Sequence, residues 1–127
     1  MRTRIPSLAL LSLALLAGCD STDPSDTQAD FVVAVGSERF VMRVTDPATI
    51  REARAQVSDQ GRKFPIGPLL TGDGGFNAPW SWRLDPAAVR LTEAAIELCD
   101  GLPSYVESHR PDFPTYCPWS ARIVEER

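Results

Sequence analysis

Lysine and histidine are nearly absent from this chain of 127 residues, with Lys63 and His109 the single example of each. Basic side chains number 13 against 17 acidic ones, a formal net charge of −4. Binding a nucleic-acid duplex needs a basic face that neutralises phosphates, so this composition speaks against a nucleic-acid partner. A glycine loop followed by lysine, the phosphate cradle of nucleotide-binding proteins, is missing. So is any internal repeat, which removes solenoids and propellers. Cysteine occurs three times, and the composition is not that of a zinc finger, a collagen or a coiled coil. What is present is ordinary for a globular protein, with 43% hydrophobic and 24% charged residues. Eleven prolines and eight glycines add a bias towards turns. The length suffices for one small core, not for two ordinary domains.

The chain opens on Arg2 and Arg4, followed by the apolar run Ile5 to Ala17, which Pro6, Ser7 and Ser12 interrupt. A membrane-spanning helix takes about 20 residues, so this shorter run reads as a secretory signal peptide over residues 1–18. It ends in Leu16-Ala17-Gly18-Cys19, which resembles the bacterial lipobox, where the cysteine sulfur receives a diacylglyceryl group before cleavage on its amino side. Two or three acyl chains anchor stably where one does so only marginally. The resemblance therefore implies a lipid anchor at Cys19 and a place in the bacterial cell envelope, attached to the membrane and facing the periplasm or the exterior. Loss of residues 1–18 leaves 11 basic against 17 acidic side chains. Asp20 to Ala29 has three acids and no large apolar side chain, so residues 19–29 read as the lipidated cysteine and a solvated tether. The folded part is then residues 30–127.

Cys99 and Cys117 remain as an even pair in an oxidising compartment, and a disulfide between them is expected. A loop of this size contributes about 3 kcal/mol in the loop-entropy model. The alternative, a Cys99 nucleophile served by His109, needs a reduced thiolate outside the membrane. The segments Asp30–Val35 and Arg39–Val44 read as a hairpin turning at Gly36-Ser37-Glu38. Thr45-Asp46-Pro47 is a helix start, and Ala48–Val57 places Ile50, Ala53 and Val57 on one face, with Gly61 ending the helix. Pro65–Leu70 suits an edge strand, since proline cannot donate to a ladder. Residues 87–99 read as helix or strand, with a strand favoured near Ala94–Cys99 because Asp100-Gly101 looks like a turn. Pro103–His109 reads as one or two helical turns and Ser120–Glu125 as a closing strand. The sum is an α+β domain: a small, mainly antiparallel sheet with one main helix, a short second helix and one disulfide.

The order VTDPATI, GDGGFNAPWSWRLDP, IELCDGLPSYVESH and YCPWSARIVE resembles the amino-terminal domain of an amoebal calmodulin-binding protein, over nearly all of residues 31–126. In that pattern a histidine is usual where this chain has Arg83. The resemblance implies a compact extracellular or membrane-associated domain whose biochemical activity is not established. Calmodulin itself is not expected as a partner. Its targets are basic amphipathic helices, and Ala48–Val57 carries two arginines and one glutamate.

Three constellations are candidates for chemistry. Asp73 and Asn77 surround a glycine turn, with Asp85 and Asp100 as further oxygen donors of the type calcium takes; such residues are also ordinary turn-formers. No other cofactor is expected. Trp80, Trp82, Tyr105, Tyr116 and Trp119 make an aromatic set suited to a protein, peptide or glycan partner, or else to a core. Ser104, His109 and Asp112 can be written as a triad, although no nucleophile elbow accompanies them. Glu107 lies two residues from His109, a spacing that does not face on a helix. Together these point to a lipid-anchored binding module with Asp73, Asn77, Trp80, Trp82, Asp85, Asp100, Tyr105, Glu107 and His109 as its binding residues. The alternative is a small envelope hydrolase in which Asp73 works with Asp85 or Glu107. Pulse-labelling with a fatty-acid analogue should tag the wild-type chain and leave Cys19→Ala untagged; label persisting in the variant overturns the anchor.

Overall fold

The computed structural model describes residues 26–127. The signal peptide, Cys19 and most of the tether lie outside the described residues.

The β-branched run at the start of the domain forms β1 (Ala29–Val35), and the alternating segment after it forms β2 (Glu38–Val44). They pair antiparallel from Ala29↔Val44 to Val35↔Glu38. Gly36 turns the hairpin at φ +59°, a value that glycine adopts without cost at the first position of a two-residue loop. Period-two alternation sends Phe31, Val33, Val35, Phe40, Met42 and Val44 into the core. Ala29, assigned to the tether on sequence, is the first residue of β1 and is buried, because it pairs with Val44. The closing strand, β7 (Arg122–Glu126), pairs antiparallel with β1, giving a three-stranded sheet in the order β2-β1-β7. A register shift between Val32 and Val33 bulges this pairing.

Helix α1 (Pro47–Asp59) starts at Asp46, whose side chain accepts hydrogen bonds from the Thr49 N–H and hydroxyl, with Pro47 in the first turn. Those two donors hold the Asp46 carboxyl below its usual value. Ile50 and Ala53 are buried as the spacing predicts, and Val57 packs against the core. The helix is closed by Gln60, which takes the left-handed conformation at φ 51°, one residue ahead of the Gly61 expected to end it.

The second sheet is built on β3 (Phe64–Thr71). This strand is not an edge, as its prolines suggested, but the hub. It pairs antiparallel with β4 (Trp82–Leu84), with β5 (Arg90–Thr92) and with β6 (Thr115–Tyr116). Each partner covers only two or three residues, so Pro65 and Pro68 interrupt short ladders and never a long one. The strand favoured near Ala94–Cys99 does not form. Pairing stops at Thr92, whose hydroxyl accepts from the Ala94 N–H and turns the chain into a loop. Helix α2 (Pro103–Ser108) and a 3-10 turn at Arg110–Asp112 follow.

Phe40 joins the two sheets: its ring lies 5.5 Å from that of Trp82 and 5.6 Å from that of Tyr116. The Cys99–Cys117 disulfide, with Cα atoms 5.0 Å apart, closes the loop that carries α2. The Cys117 N–H donates to the Cys99 carbonyl at 2.8 Å beside it. The double variant Cys99→Ser/Cys117→Ser should lose about 3 kcal/mol of stability, read as a lower denaturant midpoint with a slope that rises as the unfolded chain expands. A midpoint equal to wild type would show that the loop is held without the bond.

Candidate functional site

Residues 72–82, which hold three glycines and three large aromatic side chains, form a strap. Its side chains reach the outer edge of β2, where an unpaired strand would otherwise present free N–H and C=O groups. The Asn77 side chain has no exposed surface. Its Oδ1 accepts from the Val41 N–H at 2.7 Å, and its Nδ2 donates to the Trp82 carbonyl at 2.8 Å. One amide thus ties β2 to β4. Two residues along β2, the Trp80 indole N–H donates to the Arg39 carbonyl at 2.9 Å. Phe76 lies under the Arg43 guanidinium at 4.5 Å, and Arg43 in turn makes a two-pronged pair with its cross-strand neighbour Asp30. Arg83 donates to the carbonyls of Thr71 and Gly72 and holds the strap's first turn.

The carboxylates proposed for catalysis or calcium are engaged one by one in local backbone bonds. Asp73 accepts from the Gly75 N–H at 2.8 Å and Asp85 from the Ala87 N–H at 3.0 Å, both turn-forming bonds within their own loops. Glu107 accepts from the Ser81 N–H at 3.0 Å, which docks α2 against the strap. Among the described residues no three His, Cys, Asp or Glu side chains converge as metal ligands would. Ser104 donates to Glu38 Oε2 at 2.7 Å, and its N–H to Glu38 Oε1 at 2.8 Å, so Glu38 satisfies the start of α2. His109 bonds through Nδ1 to the Tyr105 carbonyl and the Ser108 hydroxyl, not to Ser104. Ser104 and His109 therefore serve separate structural bonds, and the Asp112 carboxylate bonds to neither of them.

The aromatic set divides in two. Trp82 and Tyr116 are buried at the centre of the core, ring to ring at 5.4 Å. The Tyr116 hydroxyl donates to the Gly101 carbonyl at 2.6 Å, and burial pushes its pKa far above the usual phenol value. From Tyr116 the rings continue outwards through Phe113 to Tyr105, which stacks on His109 at 3.9 Å. Tyr105 and Trp119 are about half exposed, at 50% and 47%.

Around these two rings lies the feature the sequence did not announce. Ile96 and Leu98 are 96% and 94% exposed, on the loop immediately before Cys99. Trp119 stands two residues beyond Cys117, and its N–H is held by Asp100 Oδ1 at 2.9 Å. The disulfide thereby gathers two loops with apolar tips at one end of the domain. Between them is a cleft of about 270 Å³ lined by Leu98, Asp100, Tyr105, Asp112, Phe113 and Trp119. Ile96-Glu97-Leu98 alternates like a strand, and only the early end of pairing at Thr92 reveals it as a surface loop. Of the sequence candidates, Asp100, Tyr105, Asp112 and Trp119 meet here; Asp73, Asn77, Trp80 and Trp82 belong to the strap and core.

The fold is that of a small α+β domain with a stapled, partly aromatic end. The chain belongs to the family of the BP-74 N-terminal domain, whose model matches residues 27–127. No curated protein and no solved structure matches it.

Replacing Asn77 by Ala leaves the Val41 N–H and the Trp82 carbonyl buried without partners. This should cost about 2–4 kcal/mol, measured by chemical denaturation. A loss below about 0.5 kcal/mol, the range of a neutral surface change, would show that the strap is not held by this amide.

Proposed function

We propose that this protein is a lipid-anchored binding module of the bacterial cell envelope, and that the stapled end of the domain is its binding face. The observation that carries this reading is the exposure of Ile96 and Leu98 beside half-exposed Trp119 and Tyr105. Burying an aliphatic side chain is worth roughly 1.5–3 kcal/mol, and contiguous exposed apolar groups on a soluble domain mark contact surfaces. The carboxylates needed for hydrolysis are spent on backbone donors, which favours binding over catalysis.

The position of this face favours a protein partner over the lipid surface. Asp26, where the described chain begins, bonds to Arg54, which also holds Glu126 at the end of β7. The stapled end lies by the opposite end of β1. Glu38, just after the hairpin turn, holds Ser104, and Arg122, three residues after Trp119, pairs with Ala34. Seven residues of strand span about 23 Å, so the tether leaves one pole and the apolar loops occupy the other. Glu93 and Glu97 lie on the loop before Cys99, and Asp100 and Asp112 line the cleft, a sign of charge that anionic lipid headgroups repel.

A photocrosslinking residue at Leu98 should yield discrete protein adducts in intact cells, whereas the same residue at exposed Ala48 on α1 should not. Leu98→Asp and Ile96→Asp should fold with stabilities within about 0.5 kcal/mol of wild type and abolish partner recovery. Identical adducts from both crosslinking positions, or full recovery with both aspartate variants, would overturn the assignment.

A further inference from the structure

Within the binding face proposed above, and resting on that reading, we propose that the cleft between the stapled loops is a site for an organic cation: a protonated alkylamine or a guanidinium, as carried by a lysine or arginine side chain of a partner or by a free polyamine. Three aromatic rings and two carboxylates line it. Tyr105 and Phe113 meet edge to face at 5.9 Å and 83°, forming two walls at right angles. Trp119 closes the cleft from the loop after Cys117, and its ring touches no other aromatic ring among the described residues. Indole is the strongest cation–π acceptor among the side chains, and this one faces the cleft instead of the core.

The two acids are placed to complement such a charge. Asp100 spends Oδ1 on the Trp119 N–H, which fixes the tryptophan loop and leaves Oδ2 without a hydrogen bond among the described residues. The Asp112 carboxylate accepts no hydrogen bond from any described residue and sits on the 3-10 turn beside Phe113. No basic side chain lines the cleft. The nearest in sequence, Arg110, donates to the Phe113 carbonyl at 3.3 Å. An anion would meet two carboxylates and no donor of positive charge. Leu98 supplies the apolar contact that an alkyl stem needs, in the way lysine and arginine side chains bury their stems and keep their heads hydrated. The volume, about 270 Å³, lies just below the roughly 300–1,000 Å³ of sites for drug-sized ligands, a size for one side chain or one polyamine arm.

Two other clefts lack this convergence. The groove between the end of α1 and β7 is lined by Val57, Gln60, Gly61, Arg122, Ile123 and Val124, with neither ring nor carboxylate. The hollow over Val32 and Val41 has the ring of Phe40 and the carboxylate of Glu125, but Arg39 and Arg127 beside them would oppose a cation.

The experiment uses the full chain in detergent, labelled so that the Trp119 indole N–H is followed by NMR. The probes are N-acetyl-lysine methylamide, N-acetyl-arginine methylamide, spermidine and the uncharged N-acetyl-norleucine methylamide. Saturable shifts of the Trp119 signal with the cations and none with norleucine support the site. Asp112→Asn, whose lost carboxylate holds nothing in the fold, should then weaken binding by about tenfold, the scale of one charge-assisted bond. Asp73→Asn should leave it unchanged. Tighter binding of the two amino-acid probes identifies a protein side chain as the source, and tighter binding of spermidine identifies a free polyamine. Norleucine binding as well as lysine would overturn the cation site while leaving the apolar face standing. Absence of saturation with every cation, or unaltered affinity in a folded Asp112→Asn, also overturns it. The reading of the face itself fails separately, through the crosslinks at Leu98.

Discussion

One buried carboxamide holds the two halves of this domain in register. Asn77 has no exposed surface, and its two ends bond to the backbone of different sheets. A polar group so placed is tolerated only because both its acceptor and its donor are used. It cannot be exchanged for leucine, which fills the space but satisfies neither backbone group. Aspartate would accept from Val41 and confront the Trp82 carbonyl with a second oxygen. Around this amide the strap settles, with Phe76 under Arg43 and Trp80 on the Arg39 carbonyl. The edge of β2 is thus covered by side chains instead of by another strand, which also removes a template for unwanted pairing.

The same economy governs the acidic residues. In a short domain rich in turns, backbone donors at loop corners and at the start of α2 have few helix or sheet partners. Asp73, Asp85, Glu38, Glu107 and Asp100 each satisfy one or more of them. Their roles are architectural first. Asp112, like Glu93, Glu97 and Glu125, has no such duty among the described residues, and of these four it is the one that lines the stapled cleft.

How much could be seen in the bare sequence follows from the range of the forces involved. The hairpin, α1 with its Asp46-Pro47 start, the short α2, the closing strand and the disulfide rest on local patterns, and they form as read. The place of β3 was hidden because proline content reports what a residue cannot donate, not how many short strands can share its neighbours. The loop at 93–98 was misread because alternation of apolar and charged residues is the same whether a strand buries one side or a loop buries neither. Trp80-Ser81-Trp82 showed its alternation, but that Trp80 would reach the β2 backbone and Trp82 the core depends on contacts with residues some forty positions away. Of the cleft, Asp100, Tyr105, Asp112 and Trp119 were visible as residue types; their meeting with one another and with Leu98 and Phe113 is a product of the staple.

The polar arrangement of the domain has a mechanical consequence. Strands β1 and β7 run antiparallel, so the start of β1 and the start of β7 lie at opposite ends of one ladder. The described chain enters at the first, and the Trp119 loop feeds the second. A pull between Asp26 and Trp119 therefore runs along the strands. The bonds of the ladder are loaded together, in shear, and do not open one after another like a zip. The domain is in this way strongest along the line that joins these two points.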